Sequence, residues 1–377
     1  MKILVLIHEF PPIGGGGGRA AQDICRGMVE RGHEVTVLTA RHKGLSKEEN
    51  VDGIRVLRLP SWRREAFRAD LLAMGGYVLS GLWAGHRYVK PWHPDLIHVH
   101  FAVPAGALAW AFSRLADAPY ILTIHLGDVP GGVPEKTGGW FKWVLPFTYP
   151  IWRDAKRVVA VSAYTRQLAL EKYTREIEVI PNGVDLDRLR PTDIQVHQPP
   201  RILFAGRFMA QKNPLQIVYT LAELKDLPWQ CVMMGDGPLK SDVQEAIAEN
   251  ELQERFTLPG WVTSEEVLEW FDKGDILFMP SISEGLPVVG VQALAKGLAF
   301  AVSNIGGFGD LVDEGQNGFL VDRDKPSGFS NALQQLLSHQ DELQRFREAS
   351  LQKAPQFDIN RIVEQYENIF EKVVHGD

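Results

Sequence analysis

Strand-length apolar runs alternate with helical patterns along almost the whole chain, and this alternation restricts the fold most. Lys2–Ile7 is followed by a glycine-rich turn, a helical pattern over Ala20–Arg31 and a second apolar run, Glu34–Thr39. The same order restarts at Arg201–Phe204, after the polar and proline-rich segment 185–200. Alternating strands and helices indicate parallel sheets covered by helices on both faces. The sequence therefore predicts an α/β protein with two Rossmann-like, doubly wound domains that face each other across a cleft.

The polar segment is the natural domain boundary in a chain of 377 residues, which is long enough for two cores. We expect an N-terminal domain over 1–190 and a C-terminal domain over 191–355. A final helical pattern over 356–377 is expected to return to the N-terminal domain. Ligands of such sheets bind outside the carboxyl ends of the strands, so the turns after the strands are the candidate sites.

The stretch Ser281–Leu294 (SISEGLPVVGVQAL) follows an apolar run and contains a polar turn before a helix that opens near Pro287. The start of a helix presents free backbone N–H groups and the positive end of its dipole, which favours a phosphate. Glu284 would repel a phosphate unless it pointed past it, towards hydroxyl groups. The stretch therefore predicts a ligand with a phosphate at one end and a sugar at the other. The alternative is an ordinary strand–helix corner with a solvated glutamate.

Five consecutive glycines, Gly14–Gly18, follow the first strand and precede the first helix. They match a dinucleotide-binding fingerprint poorly, because the second strand ends at Thr39 and Ala40 where an acidic residue is wanted for a ribose. We interpret them as a loop whose backbone approaches a phosphate. A flexible surface loop is the alternative.

Other polar residues follow the remaining strands. Arg207 and Lys212, five residues apart on one loop, are suited to clamp a diphosphate. Gly235 and the turn at Pro259–Val262 leave room for a flat base. In the N-terminal half, His125 ends a strand and begins the sequence HLGD.

The two cysteines, Cys25 and Cys231, lie in apolar runs, which predicts buried thiols in a reducing compartment. His8 and Glu9 interrupt the apolar N-terminus too early for a signal peptide. The uncharged run Leu71–Gly85 is short for a membrane span. We therefore expect a cytoplasmic protein.

Charge is divided unevenly along the chain. Residues 1–190 hold 25 Lys and Arg against 19 Asp and Glu, a balance of +6, whereas residues 191–377 hold 15 against 28, a balance of −13. Segments 61–93 and 139–157 also interleave basic residues with Trp and Tyr, a pattern that suits an anionic membrane surface. We expect peripheral association with the inner membrane through this basic, aromatic face. The alternative is that the aromatic residues pack inward and the basic residues are merely solvated. We expect no nucleic acid partner.

The chain resembles the GT-B glycosyltransferases of family 4, which are retaining enzymes. The resemblance rests on FPPIGG and RGHEVTVLT in the first half, VIPNGVD before the boundary, and AGRFMAQKNP and SEGLPVVGVQALAKG in the second half. It covers most of the chain in the usual order and spacing. It implies transfer of a hexose or N-acetylhexosamine from a UDP-sugar to a lipid-linked or lipopolysaccharide-type acceptor in bacterial surface polysaccharide (O-antigen-like) synthesis.

The resemblance also implies roles for particular residues. The catalytic group would be His125 near the reacting carbon, Glu284 on the donor-sugar hydroxyls, and Arg207 with Lys212 on the diphosphate. The donor-binding residues would be Gly15, Gly16, Arg207, Lys212, Gly235, Trp261, Val262, Glu284, Gly285, Leu286, Pro287, Val288 and Gln292. Asp128 and Arg19 are candidates for contact with the acceptor, although Asp128 alternatively caps a turn.

One position departs from the family pattern, which has a second glutamate eight residues after the first. Gln292 occupies it here, so the contact with the ribose keeps a hydrogen-bonding amide but has no charge. The pairs Asp185/Asp187 and Asp322/Asp324 lie outside the nucleotide elements and are interpreted as surface residues. We expect neither a metal nor another cofactor, because Arg207 and Lys212 can stabilise the leaving diphosphate.

No side chain is a convincing nucleophile, so the resemblance implies a front-face reaction in which a phosphate oxygen takes the acceptor proton. Two other functions remain open from the residues: a UDP-sugar epimerase and a non-catalytic subunit that binds nucleotide sugars.

Overall fold

A computed structural model describes residues 1–65, 69–133, 139, 141–191 and 193–376. The chain forms two compact units, of which unit 1 comprises Met1–Gly183 with Ile359–Asp377 and unit 2 comprises Val184–Asp358. Each is an α/β unit built on a mainly parallel sheet. The predicted fold class of two Rossmann-like units is confirmed.

The sheet of unit 1 has eight strands within the described residues, in the spatial order β3-β4-β2-β1-β5-β6-β7-β8. Its strands are β1 (Lys2–Leu6), β2 (Glu34–Ala40), β3 (Glu48–Val51), β4 (Ile54–Leu59), β5 (Leu96–His100), β6 (Tyr120–Ile124), β7 (Arg157–Ala160) and β8 (Glu178–Val179). Neighbours are parallel except β3 with β4. Strand β3 was not predicted, because an edge strand with the polar sequence EENV has no apolar run to reveal it.

Helices cover both faces of this sheet. The first helices of the chain are α1 (Gly16–Glu30), α2 (Leu71–Ala84), α3 (Lys90–Trp92), α4 (Ala105–Ala116), α5 (Phe141–Asp154) and α6 (Ala163–Leu170), and a π-helical turn over Gly85–Val89 joins α2 to α3. Side chains of α2, α4, α5 and α6 share one core with alternate strand residues. Side chains of α1 share a second core on the opposite face of the sheet.

Unit 2 has a six-stranded, all-parallel sheet in the described residues, in the order β11-β10-β9-β12-β13-β14. Its strands are β9 (Arg201–Ala205), β10 (Gln230–Met234), β11 (Phe256–Gly260), β12 (Ile276–Met279), β13 (Ala299–Ser303) and β14 (Gly318–Val321). Its helices are α7 (Leu186–Leu189), α8 (Pro214–Ala222), α9 (Lys240–Glu249), α10 (Ser264–Phe271), α11 (Val288–Ala295), α12 (Phe308–Leu311), α13 (Ser327–Ser338) and α14 (Gln340–Lys353). A capping box between Thr263 and Glu266 starts α10.

The last helix, α15 (Ile359–His375), belongs to unit 1, where Val363, Tyr366 and Phe370 complete the core on the α1 side. A Cβ atom built on Gly27 of α1 would lie 2.5 Å from Cγ2 of Val363, so the absence of a side chain at Gly27 lets the two helices approach.

The boundaries differ from the predicted ones by a few residues at both crossings. Unit 2 begins at Val184 rather than 191 and ends at Asp358 rather than 355. The reason is local pairing, because Val184 bridges to Asp358 and its N–H donates to the Phe357 carbonyl at 2.9 Å. These bonds bring the first and last residues of unit 2 together. Polar composition indicated a boundary within segment 185–200, but it could not reveal the pairing of Val184 with Asp358 that begins and ends unit 2.

The cysteines and the longest uncharged run of the N-terminal half lie in buried or helical segments of the fold. Cys25 and Cys231 are free and buried, as predicted, and burial raises the pKa of both thiols. The uncharged run near residue 71 forms helix α2. Within the described ranges, every helix is too short or too polar to cross a bilayer.

We predict that Phe370→Ala destabilises unit 1 selectively. Phe370 is fully buried on α15, and truncating such a ring costs about 3–5 kcal/mol through lost burial and a residual cavity. Hydrogen exchange measured by mass spectrometry should show reduced protection in β1, β5 and α1, with β9–β14 unchanged. Glu371→Ala, at the adjacent exposed position, is the matched control and should change neither unit. Equal loss of protection in both units would contradict the assignment of α15.

Candidate active site

The loop after β1 depends on its glycines for space. A Cβ atom on Gly18 would lie 2.4 Å from the Glu9 carbonyl oxygen, and Gly14 has a φ of +88°. Helix α1 begins at Gly16, and the Gly18 and Arg19 amides donate back to the Gly15 carbonyl. The earlier amides of Gly16 and Gly17 precede these bonds at an exposed helix N-terminus, an arrangement that suits an anionic group. The Arg19 side chain in the same turn is exposed.

His125 lies directly after β6, at the carboxyl edge of the unit 1 sheet, and is 8% exposed. Its ring stacks on Phe101, which follows β5, with centroids 4.2 Å apart and planes inclined by 23°. Phe101 holds a φ of +73°, a backbone conformation that non-glycine residues rarely adopt. A Cβ atom on Gly17 would lie 2.9 Å from Phe101 and 3.3 Å from the His125 ring. The glycine loop, Phe101 and His125 therefore form one site.

Two further histidines stand behind His125. His100 Nδ1 lies 3.4 Å from His125 Nε2, and the His98 and His100 rings are 4.3 Å apart. Burial, with a smaller effect of the His125 charge, lowers the pKa of His98 to about 3. Burial, with smaller effects of His98 and His125, holds the pKa of His100 well below its ordinary value. His125 is therefore backed by rings that are neutral at pH 7.

The chain of contacts continues away from the site. His98 Nε2 is hydrogen-bonded to Thr123 Oγ1 at 2.9 Å, and that hydroxyl lies 3.2 Å from the Tyr366 hydroxyl on α15. The last helix of the chain thus supports the strand that carries His125.

Asp128 is 1% exposed, and its carboxylate accepts two backbone N–H groups. The His125 amide donates to Oδ2 at 3.0 Å, and the Val103 amide donates to Oδ1 at 3.3 Å. Asp128 therefore ties the loop after β6 to the loop after β5. This arrangement favours the turn-capping alternative over direct contact with an acceptor.

In unit 2, Lys212 and Glu284 form an ion pair between the loops after β9 and β12. Lys212 Nζ lies 2.5 Å from Glu284 Oε1, and both side chains are largely buried. Gln211 joins the same two loops, because its side-chain Nε2 donates to the Ser283 carbonyl at 2.9 Å and its main-chain carbonyl accepts from the Ile282 amide at 2.7 Å. The two loops are therefore held as one structure at the carboxyl edge of the sheet.

Glycines let the neighbouring turns pack directly on these loops. A Cβ atom on Gly306 would lie 1.7 Å from the Glu284 carbonyl oxygen, and one on Gly307 would lie 1.9 Å from the Gly285 carbonyl oxygen. On the other side, a Cβ atom on Gly235 would lie 1.9 Å from the Gly206 carbonyl oxygen. The turns after β9, β10, β12 and β13 thus approach one another backbone to backbone.

Helix α11 begins one residue after Pro287, so its first amides face the carboxyl edge of the sheet. Val288 and Gln292 are half-buried and lie one turn apart, which places them on the same side of the helix. The Gln292 amide and the half-buried Arg207 guanidinium make no hydrogen bond or ion pair within the described ranges, so both remain available to a ligand. Leu286 is buried, and Trp261 with Val262 follows β11 at the same edge.

The structure thus groups the predicted residues within each unit. Unit 1 places the glycine loop that contains Gly15 and Gly16 beside His125, and unit 2 brings together Lys212, Glu284 and Gly285. Three contributors to these groups were not predicted from the sequence: Phe101, Gln211 and the turn Gly306–Gly307. Two adjacent glycines in a sequence indicate a turn, but only the packing reveals that this turn supports the loop that carries Glu284.

We predict that Gly307→Ala disturbs the loop that carries Glu284. The new methyl group would overlap the Gly285 carbonyl, which cannot rotate away, so the free energy of unfolding of unit 2 should fall by about 1–3 kcal/mol. Gly309→Ala is the matched control, because a Cβ atom there meets nothing within 4 Å. Urea denaturation of both variants checks this, and equal stability would rule out the close approach.

We predict that Lys212 and Glu284 are energetically coupled. Lys212→Met should cost about 1–3 kcal/mol, because it leaves a nearly buried carboxylate without its cation. The double variant with Glu284→Gln should cost less than the sum of the single variants by at least about 1 kcal/mol. Urea denaturation of the four proteins gives this coupling energy. Additive effects would mean that the pair contributes nothing beyond its separate side chains.

No group of three or more His, Cys, Asp and Glu side chains in the described part of the chain is arranged to hold a metal ion.

Comparison with known proteins identifies two domain families. The model of Glycosyltransferase Family 4 matches residues 14–188, and the model of Glycosyl transferases group 1 matches residues 188–353.

Individual glycosyltransferases are also similar to this chain in sequence or in fold. The 2-deoxystreptamine glucosyltransferase of Streptomyces kanamyceticus is 28% identical over 316 residues, which cover 76% of this chain and 80% of that protein. The putative teichuronic acid biosynthesis glycosyltransferase TuaC of Bacillus subtilis (strain 168) is 29% identical over 235 residues, which cover 60% of this chain and 57% of that protein. The crystal structure of Anabaena Alr3699/HepE in complex with UDP-glucose has the same fold, with a TM-score of 0.77 and 18% identity over 99% of this chain and 100% of that chain. The chain consists of a glycosyltransferase family 4 domain and a glycosyl transferases group 1 domain, and it is a glycosyltransferase of the GT-B type.

Proposed function

We propose that this enzyme transfers a hexose or N-acetylhexosamine from a UDP-sugar to a lipid-linked saccharide, with retention of configuration, in the synthesis of a bacterial surface polysaccharide. The observation that carries the donor assignment is the Lys212–Glu284 pair within the glycine-packed loops of unit 2. It presents a cation for a diphosphate and a carboxylate for sugar hydroxyls at one place. That Alr3699/HepE was crystallised with UDP-glucose supports a UDP-linked donor.

The roles of the residues follow from their chemistry. Arg207 and Lys212 neutralise the diphosphate as the bond between the sugar C1 and the phosphate oxygen breaks, so the reaction needs no metal. Glu284 then changes partner, from Lys212 to the hydroxyls of the sugar. The amide of Gln292 hydrogen-bonds the ribose, and His125 hydrogen-bonds the transferred sugar. The acceptor oxygen bonds to C1 on the same face, and its proton passes to the departing phosphate oxygen.

The acceptor assignment is supported by unit 1, which contains exposed aromatic and basic side chains. Trp83 and Trp143 are exposed, and basic residues lie near them in sequence. A lipid-linked acceptor would bring the enzyme to the anionic inner membrane surface from the cytoplasm. TuaC, a putative teichuronic acid biosynthesis glycosyltransferase, is one of the relatives of this chain.

We predict UDP release from one UDP-sugar that depends on bacterial lipid extract and falls at least about 100-fold in Glu284→Gln. The substitution keeps the shape of the side chain but removes the charge that accepts sugar hydroxyls. Glu269→Gln, an exposed position of unit 2, is the matched control and should retain wild-type rates. A coupled assay for UDP measures both.

Three results would revise this function. UDP release without lipid extract would mean a soluble acceptor. Release that persists in Glu284→Gln would remove the proposed role of this carboxylate. Binding of UDP by calorimetry without release from any UDP-sugar would indicate an acceptor that the lipid extract lacks. A companion variant, Gln292→Glu, should tighten UDP binding if this position contacts the ribose.

A further inference from the structure

Helix α2 has an apolar side that the rest of unit 1 leaves uncovered. Leu72, Leu79 and Trp83 are all more than half exposed, although they share one side of the helix. The helix contains no charged residue between its first and last positions. Soluble proteins rarely expose a contiguous apolar surface of this kind unless it contacts a partner or a membrane.

Helix α5 presents a second such side. Trp143 is 81% exposed and Phe147 is 75% exposed, one turn apart, while Ile151 and Trp152 of the same helix are buried in the core. Tyr149 adds a third partly exposed ring. The predicted membrane face is therefore corrected in its details, because Trp152 packs inward and Arg63 is buried against Glu9 and the His8 carbonyl. Phe67, Arg68 and Trp140, also predicted for this face, lie outside the described residues.

Both helices cover the same face of the unit 1 sheet. Each packs on α4, and side chains of all three helices share one core. Their exposed sides therefore belong to the layer of helices on one face of the sheet. We call these sides, represented by Leu72, Leu79, Trp83, Trp143 and Phe147, the apolar face.

A basic cavity adjoins the end of α5. It measures about 750 Å³ and is lined by Pro146, Tyr149 and five basic side chains: Arg153, Lys156, Arg157, Lys172 and Arg175. Glu176 and Glu178 also line it, so positive charge predominates.

The basic side chains of the cavity differ in availability. Arg175 donates to the carbonyls of Arg153 and Ala155, and Arg153 pairs with Asp154 at 2.7 Å. Lys156 and Lys172 form no ion pair within the described ranges. These two lysines are thus the cations free to meet an anion.

The cavity lies away from the candidate active site. Its residues precede β7 and β8 or begin these strands, so it lies at the amino edge of the sheet, whereas His125 follows β6 at the carboxyl edge. A ligand of the cavity would therefore not compete with the chemistry at His125.

We propose that unit 1 docks on an anionic bilayer through the apolar face, with Trp143, Phe147 and Trp83 in the headgroup region and an anionic lipid headgroup in the basic cavity. This inference rests on the proposed lipid-linked acceptor and specifies the surface that would reach it. Aromatic rings settle at the boundary between headgroups and acyl chains, and nearby lysines gain from the negative surface potential. Rings and free lysines occur together here, which favours a membrane over a protein partner.

Flotation with lipid vesicles tests this docking surface. Wild-type protein should float with vesicles of phosphatidylcholine that contain phosphatidylglycerol, and more weakly with phosphatidylcholine alone. The double variant Trp143→Ser/Phe147→Ser should bind both kinds at least tenfold more weakly, and its folding should be intact because both side chains are exposed. Tyr219→Ser, which removes an exposed ring from α8 of unit 2, is the matched control and should bind like wild type.

The cavity is tested by Lys156→Ala/Lys172→Ala. At about fivefold in partitioning for each lysine near an anionic surface, this variant should lose about 25-fold on vesicles with phosphatidylglycerol and nothing on phosphatidylcholine alone. Lys43→Ala/Lys47→Ala removes two exposed lysines elsewhere in unit 1 and should lose much less. Equal losses of vesicle binding in the two lysine variants would mean that the bilayer attracts unit 1 through its overall positive charge and not through the cavity.

Other outcomes would overturn the inference. Absence of wild-type flotation, or unchanged flotation of the aromatic variant, excludes the apolar face as a membrane surface. A concentration-dependent dimer that the aromatic variant abolishes would assign the face to a second copy of the chain. Flotation needs no catalysis, so it can succeed while UDP release shows no lipid dependence, and the two proposals fail separately.

Discussion

Parallel strand pairing is the constraint from which both candidate sites follow. When all strands of a sheet run in one direction, the turns after them gather at one edge, whatever their separation in the chain. In unit 2 this gathers the turns after β9, β10, β12 and β13. In unit 1 it gathers the glycine loop after β1, Phe101 after β5 and His125 after β6. The chemistry of each site is then decided by which side chains these turns carry.

Charge is distributed differently over the two candidate sites. The unit 2 site pairs Lys212 with its own Glu284, so this lysine and this carboxylate neutralise each other. Around His125, the neutral rings of His98 and His100 supply packing without charge. An anionic ligand of unit 2 must therefore compete with Glu284 for Lys212. A ligand that approaches His125 meets an imidazole that is already held in place by stacking on Phe101.

Much of this arrangement could be predicted from the sequence, because its signals are local. Apolar runs of strand length located β1, β2 and β9, and strand–turn–helix order located Lys212, Glu284 and His125. Features that depend on tertiary contacts could not be predicted from the sequence. The polar strand β3 exists only because β4 offers it an edge, and Phe101 gains its role only by stacking on His125. Trp152 and Trp143 look alike in sequence, yet helix geometry buries one and exposes the other.

The adjacent ends of unit 2 have a consequence for biosynthesis. Because α15 completes the core of unit 1, that unit cannot finish folding until the whole of unit 2 has been synthesised. Unit 2, whose residues are contiguous from Val184 to Asp358, can fold as soon as it leaves the ribosome. During that interval the groove beside α1 that α15 will occupy is open, and the sheet that carries His125 lacks its final support. The segment made first is therefore the one completed last.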